Sequence, residues 1–441
     1  MLVQAAVLAL AVAPAAQAAT VGAGASRLTF EAAGGEANRA TFGWEGASVR
    51  IDDPGAGIVL GLGCLPDGLT LTTARCPSPA GGPLGGLTGC DVCGLAVALG
   101  DRDDVADLRG TPPFLFATVN GGAGADRLSA DGERATLLGD SGDDTLTGRA
   151  TDGGPGDDRI LGTHGDDGPL IGGAGADTIT GDGGEDTASY EDRAGPVRVT
   201  LDAIADDGAD GERDDVRTEN VTGGKGDDVL IGGGAANRLN AGAGENELRG
   251  AGGRDRLLGG PDRDTLDGGP GDDTILSSVG ARRATDDVIC GAGDDEAQVT
   301  RADRVADDCE HVYYGGTPVP RLTIAGPARV RARGGVLRLS VSAQPAESGF
   351  HPAPGSELPP GPQIRATATL RALRGRPRGV LGRATLAPFA APATAPLALR
   401  LTARARRELA ARGTIRMRVA IAARDAEGNE SLTRRLLVVR R

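Results

Sequence analysis

Aromatic residues are nearly missing from this chain of 441 residues, which has one tryptophan, three tyrosines and six phenylalanines. Large cores lean heavily on such side chains, so any core here must be thin. Lysine is scarcer still: Lys225 is the only one, and arginine supplies the rest of the positive charge. The three histidines, His164, His311 and His351, are too few and too scattered to assemble a Ser, His and Asp arrangement from the sequence. Neither HExxH nor G-x-S-x-G occurs. Beyond the N-terminus no segment approaches eighteen consecutive apolar residues, the length that argues for a membrane span. These absences argue against an enzyme and against a membrane-spanning chain.

Glycine and aspartate are what the chain has instead. Six windows of nine follow one another in register: GGKGDDVLI (223–231), GGGAANRLN (232–240), AGAGENELR (241–249), GAGGRDRLL (250–258), GGPDRDTLD (259–267) and GGPGDDTIL (268–276). A less regular array lies upstream. GGAGADRLS (121–129), GDSGDDTLT (139–147), GGPGDDRIL (153–161) and GGAGADTIT (172–180) fit well, whereas 130–138 lacks the aspartate, 162–170 puts Pro169 at the aliphatic position, and 181–189 has only Ala188 there.

The consensus G-G-x-G-x-D-x-U-x, with U a large aliphatic residue, has a physical reading at each position. Glycines permit the positive φ of tight turns. The x-U-x triplet predicts a short strand with its middle side chain inward, so two repeats make one coil of eighteen residues around a two-layer aliphatic core. Aspartates at position six then stack on the coil edges, Asp126 under Asp144 and Asp255 under Asp273. At about 5 Å and an effective dielectric of 20, two such carboxylates repel by roughly 3 kcal/mol. A hard cation with oxygen ligands, Ca²⁺ above all, would reverse the sign by taking carboxylates together with turn carbonyls. The predicted ligands are Asp126, Asp144, Asp158, Asp167, Asp177, Asp186, Asp228, Asp255, Asp264 and Asp273. Asn237 and Asn246 replace two aspartates and weaken their sites.

These repeats resemble those of the hemolysin-type (RTX) calcium-binding proteins. The segments 186–224 and 290–312 are similar to ones found in secreted actinobacterial members. The resemblance implies an all-β chain built on a right-handed parallel β-roll with Ca²⁺ between successive turns. It does not carry over cytolytic activity, because the chain looks exported from its N-terminus rather than by a C-terminal signal. Leu2–Ala13 is an apolar stretch followed by Ala16-Gln17-Ala18, a cleavage signature, although no Lys or Arg precedes it.

Six cysteines, Cys64, Cys76, Cys90, Cys93, Cys290 and Cys309, fit an oxidising compartment. Sequence-near pairing (64 with 76, 90 with 93, 290 with 309) is expected. A zinc site from the first four, or a redox CxxC at 90 to 93, stays open.

The predicted organisation is a signal peptide (1–18), an N-terminal β cap (19–104), a first array (105–189), an insert (190–222), a second array with a disulfide-closed end (223–316) and a basic immunoglobulin-like β-sandwich (317–441). Trp44 is expected in the core of the cap. In the last domain strands alternate apolar residues with arginine, DAEGNE (425–430) reads as a hairpin turn, and 402–413 reads as one helix capped by Thr402 and Gly413. Residues 321–441 hold 23 arginines against 6 acidic residues, about +17, which leaves about −31 for the remainder of a chain whose net charge is −14. Those arginines are solvated outer strand faces or a patch for an anionic cell-wall polymer or another surface protein. With so few aromatics for stacking, specific nucleic-acid reading is not expected.

Three motifs are decoys. GDSGD (139–143) sits in the repeat register, GGKGDD (223–228) lacks phosphate-loop spacing, and DDGADGERDD (206–215) fails the EF-hand pattern and reads as a solvated loop. The expected protein is an extracellular, non-catalytic, calcium-stabilised β-roll with a structural or adhesive role; the alternative is a secreted hydrolase that uses the roll as a folding device.

Overall fold

The computed structural model describes residues 19–23, 27–32, 35, 37–45, 48–52, 58–60, 65–66, 73–77, 94–110, 116–278, 284–314, 321–325, 329–332, 336–344, 363–372, 380–386, 389–390, 393–424 and 430–440. Cys64, Cys90, Cys93, His351, the segment 1–18 and the turn residues 425–429 lie outside this set, as do the side chains of Trp44 and Cys76. Two compact units divide the chain, one of residues 1–192 with 199–222 and one of 193–198 with 223–441.

The first unit is a roll of two parallel sheets. One runs through Arg27–Glu31, Gly94–Ala98, Phe116–Ala123, Ala135–Ser141, Ala150–Pro155, Leu170–Ala174, Thr187–Ser189 and Asn220–Thr222. The other runs through Arg39–Glu45, Val105–Leu108, Arg127–Ala130, Thr145–Thr147, Arg159–Leu161, Thr178–Thr180 and Asp215–Arg217. The middle residue of each triplet points inward. Leu128, Leu146, Ile160, Ile179 and Val216 from one sheet, and Leu137, Leu170, Ala188 and Val221 from the other, are buried. A two-layer aliphatic core of this thickness takes few aromatic rings: among the described residues of this unit the buried ones are Phe30 and Phe42, which meet edge-on with centroids 5.9 Å apart, and Tyr190.

Three expectations change here. Coiling starts in the N-terminal segment, at Arg27 and Arg39, before the glycine repeats begin. What caps the roll is antiparallel: Ala19–Ala23 on Arg27–Glu31, and Ser48–Asp52 on Arg39–Glu45. The end of the segment read as an insert is likewise roll, because Val216 and Val221 occupy core positions opposite Ile179 and Ala188. In the repeat 162–170, Leu170 and not Pro169 fills the core, Pro169 being exposed.

The second unit repeats the plan. Arg238–Asn240, Arg256–Gly260, Thr274–Ser278, Glu296–Val299 and His311–Tyr314 form one parallel sheet. Val229–Ile231, Glu247–Arg249, Thr265–Pro270, Asp287–Ala292 and Arg304–Val305 form the other. Leu230, Leu239, Leu248, Leu257, Leu266 and Ile275 are all fully buried, as the pattern requires. A disulfide joins Cys290 to Cys309, closing a loop of the size that contributes roughly 3 kcal/mol in the chain-entropy account.

After the last coil the strands turn antiparallel. Pairing runs from Arg321–Ala325 through Val336–Gln344, Ala393–Leu401, Val380–Thr385, Gln363–Ala372 and Thr414–Arg424 to Glu430–Arg440. Arg329–Arg331 then pairs with Glu430–Arg440, so the segment 321–331 touches both ends of the run. The hydrogen bonds thus give one continuous run of strands around a shared core, where an immunoglobulin-like sandwich would have two separately bonded sheets. Leu337, Leu399, Leu370, Val419 and Leu437 lie in that core. The helix Ala403–Arg412 packs Ala405 and Leu409 inward, with Thr402 accepting the Ala405 N–H at its start and Gly413, at φ 70°, ending it. Glu430–Arg440 also pairs with His311–Tyr314, so within this unit the antiparallel region covers the final coil's edge.

Replacing Leu146 by Ala should lower stability by about 2–5 kcal/mol. Ile204→Ala, at a position 57% exposed, should change it by less than about 0.5 kcal/mol. Denaturant unfolding at saturating calcium measures both.

Candidate metal centre

Apart from Asp167, which Gly168 and Pro169 separate from its strand, each aspartate at position six directly precedes a strand triplet, and its side chain turns into the coil edge. There one carboxylate oxygen accepts the backbone N–H of the equivalent residue one coil earlier. In the first unit the N–H of Asp104 donates to Asp126 Oδ1 (2.8 Å), Asp126 to Asp144 (2.7 Å), Asp144 to Asp158 (2.7 Å), Asp158 to Asp177 (2.8 Å) and Asp177 to Asp214 (3.0 Å). The opposite edge runs from Asp167 to Asp186 (2.9 Å) and on to Glu219 Oε2 (3.0 Å). In the second unit Asp255 donates to Asp273 (2.8 Å) and Asp273 to Asp295 (2.9 Å). Its other edge runs from Asp228 through Asn246 and Asp264 to Asp286 at 2.8, 2.9 and 2.9 Å.

All ten sequence-derived aspartates therefore lie in these ladders, together with others that were missed: Asp104, Asp214, Glu219, Asp286 and Asp295. The missed ones lack the full consensus: Asp104 and Asp295 keep glycines before them but have Leu99 and Cys290 at the first position, and Asp214, Glu219 and Asp286 lack the prefix. The shorter signal of an acid two residues before an aliphatic, as in Asp214-Asp215-Val216 and Asp286-Asp287-Val288, would have found them.

The other carboxylate oxygen is the informative one. Oδ2 of Asp104, Asp126, Asp144, Asp158, Asp186, Asp255, Asp264, Asp273 and Asp295 is buried and has no hydrogen-bond partner. In Asp126, Asp144, Asp158, Asp255, Asp264 and Asp273 it lies over the first glycine of its own repeat, beside a carbonyl of the next coil. A Cβ added to Gly268 would come within 2.6 Å of both Asp273 Oδ2 and the Cys290 carbonyl oxygen. Glycine is required at this position because these oxygens converge there.

Burial raises these carboxyls. Desolvation is the largest cause, lifting Asp104, Asp144, Asp186, Asp255 and Asp295 to about 6 and Asp158 and Asp264 to about 7. Neighbouring carboxylates add to it. The expectation that mutual repulsion dominates is thus corrected: hydrogen bonding holds stacked carboxylates in place, and lost hydration outweighs neighbouring charge as the cause that raises them.

Among the described residues no group of three or more His, Cys, Asp or Glu side chains could hold an ion unaided. An ion at the edge would need carbonyl oxygens as well, which Ca²⁺ accepts. Buried, unpartnered carboxylate oxygens beside carbonyls suit such an ion. Asp126, Asp144, Asp158, Asp186, Asp255, Asp264 and Asp273 would hold it, with Asp104 and Asp295 at the ends.

Three rungs differ. Asp167 is paired with Arg149 Nε (3.3 Å) and accepts from Thr163 Oγ1 (2.9 Å), so a guanidinium already serves it. Asp228 accepts the N–H groups of Val197 (2.9 Å) and Gly224 (2.7 Å) on separate oxygens. Asn246 spends its amide within its own turn.

The doublets Asp-Asp divide their labour. At position five, Asp143 accepts the Asp157 N–H (3.0 Å), Asp157 that of Ala176 (2.9 Å) and Asp272 that of Asp294 (2.9 Å), each from the following coil. This exposed ladder runs in the sense opposite to the buried one.

The loop 206–215 is only partly solvated, against expectation. Asp207 is buried and accepts from Thr200 N (2.6 Å), while Asp214 accepts the hydroxyl of buried Tyr190 (2.8 Å). Of the histidines, His164 pairs with Asp182 on the surface (2.6 Å). His311 is buried with Nε2 on Asp294 (3.0 Å) and Nδ1 3.5 Å from Thr433 Oγ1, a hydroxyl that donates to the Leu322 carbonyl.

A carboxyl whose folded pKa is raised binds its proton more tightly folded than unfolded. Without ions, stability should therefore fall as pH rises from about 4 through about 7, and return on acidification. Thermal unfolding in EDTA should give a higher midpoint at pH 5 than at pH 7.5, and the reverse order would refute the burial account. At saturating Ca²⁺ the same protons compete with the ion, so affinity should weaken as pH drops below about 7.

Residues 118–134, 131–152, 152–168, 170–189, 217–248 and 249–281 match the family description of the RTX calcium-binding nonapeptide repeat. No curated protein matches the chain. Among the described residues no helix is long and apolar enough to cross a membrane. The matched segments, the parallel coils and the acid-lined edges agree, and the matched segments of this chain are RTX calcium-binding nonapeptide repeats, with Ca²⁺ as their ion.

Proposed function

We propose that this calcium-binding β-roll protein is exported and works without catalysis, as a structural or adhesive component of the cell surface or matrix. The observation that carries the reading is the row of buried carboxylate oxygens with no partner. Such oxygens cost stability wherever Ca²⁺ is scarce, as inside a cell, and cease to do so at the roughly millimolar levels at which extracellular modules bind. At tenfold excess over its dissociation constant each independent site contributes about 1.4 kcal/mol. Calcium thus acts on the fold, and no step of chemistry is asked of it. The surroundings of His311 support the non-catalytic reading, since Thr433 beside it is buried and directs its proton to a carbonyl.

Attachment falls to the basic C-terminal domain. Arg383 faces Arg400 and Arg371 faces Arg418 directly across neighbouring strands, and Arg331 lies beside Arg440. Like charges in such pairs destabilise a sheet. Of these six, Arg418 has an acid partner among the described residues, Asp307 at 2.9 Å. An anionic wall polymer bridging neighbouring guanidiniums would relieve the remainder, so we assign this face to attachment.

Circular dichroism of the full chain should lose β signal in EDTA and regain it in millimolar Ca²⁺; a spectrum indifferent to chelator would overturn the structural role of the ion. Casein or ester hydrolysis that follows calcium loading would favour the hydrolase reading instead. Retention on immobilised poly(glycerol phosphate) should fall about tenfold in Arg383→Glu/Arg400→Glu and weaken with salt. Equal retention of both proteins would remove the attachment role from this face.

A further inference from the structure

The rungs of the second unit fall into two kinds. At Asp255, Asp264, Asp273 and Asp295 one carboxylate oxygen is buried without a partner. At the three rungs before them the side-chain polar atoms are engaged. Asp228 accepts one N–H on each oxygen, from Val197 and from Gly224. Asn237 Oδ1 accepts the Gly233 N–H at 2.8 Å. Asn246 accepts the Asp228 N–H on Oδ1 at 2.8 Å, and its Nδ2 donates to the carbonyl of Gly244 at 2.9 Å and, more weakly, to that of Ala243 at 3.5 Å.

The contrast at Asn246 is chemical. A carboxylate in the same register has no proton to give, so turn carbonyls beside it are served only by a cation. The carboxamide brings its own N–H groups to those carbonyls and carries no charge to be desolvated. The core does not distinguish the two sets, because Leu230, Leu239 and Leu248 are as fully buried as Leu257, Leu266 and Ile275. The difference is confined to the edges, where ions would bind.

We propose that residues 223–249 fold without calcium and act as the seed on which the calcium-dependent coils from Asp255 onward stack. The proposal rests on the calcium reading above and adds to it a map of which rungs need the ion. In a stack where each coil is stabilised chiefly by its neighbour, a pre-formed coil spares the next one the cost of nucleation. The two asparagines that look like weakened sites in the sequence are, on this account, ion substitutes built into the chain. The two edges of the seed coils are then held by amide and carboxylate hydrogen bonds alone, and calcium entering the unit meets an existing template.

Hydrogen exchange read by mass spectrometry on the intact chain, in EDTA and in millimolar Ca²⁺, tests this. Amides within 229–249 should stay protected in both conditions, and those within 256–299 should lose protection at least about tenfold in EDTA. If both segments lose protection together while calcium restores them, the seed is refuted and the calcium reading stands. If neither segment responds to EDTA, the calcium reading falls and takes the seed with it. Asn246→Asp supplies a second readout: it should make 229–249 sensitive to EDTA and raise the bound calcium, counted by elemental analysis, by about one ion per chain. Should Asn246→Asp leave both the count and the protection unchanged, the amide is not replacing an ion. Asn237→Asp, which alters the other edge, gives the same test if the first variant folds poorly.

Discussion

A carboxylate buried in a turn, with one oxygen tied to the preceding coil and the other lacking a donor, is the interaction on which both rolls depend. The tied oxygen fixes register: it holds the N–H at the entry of one strand against the entry of the next, so coil after coil starts in line. The steps between successive rungs vary from 14 to 37 residues, yet the rungs remain bonded. Residues beyond the shortest step are accommodated between rungs, because the acid and the aliphatic two places later keep their places together. The other oxygen is the reason for calcium, and burial of a charge, more than crowding of like charges, is what the ion offsets.

Much of this is legible in the sequence alone. The aliphatic at position eight announces the core, and Leu230, Leu248 and Leu266 lie where a period of eighteen puts them. The acids at position six are legible for the same reason. What escapes are coils with the same physics and different spelling. Asp104 and Asp214 open triplets whose turns keep a glycine of positive φ, Gly100 and Gly211, but not the full glycine set of the repeat, so the spelling of the consensus passes over them. The doublet Asp143-Asp144 reads as redundancy in the sequence. In space its members face opposite ways along the stack, one buried and bonded backward, one exposed and bonded forward, and no pattern in one dimension carries that difference.

The basic C-terminal region behaves differently. Alternation of apolar residues with arginine locates its strands, and Thr402 and Gly413 locate its helix. Connectivity is not available from alternation, because period two says which face is buried and is silent about which strand lies beside which. The pairing of 321–331 with both ends of the strand run depends on contacts far apart in the chain, and those decide between a continuous run and two stacked sheets.

The buried ladder on one edge of each unit ends on a glutamate. Glu219 Oε2 receives the last N–H of its edge in the first unit, and Glu310 Oε2 does so in the second. One extra methylene lets the side chain reach back to the preceding coil from the entry of the last parallel strand of its sheet, Asn220–Thr222 in the first unit and His311–Tyr314 in the second. A glutamate there punctuates the stack as a full stop would. Spare coils could be spliced in ahead of it, eighteen residues at a time, without disturbing the chain beyond, and the length of such a protein is then set by where evolution lengthened one acid by a single carbon.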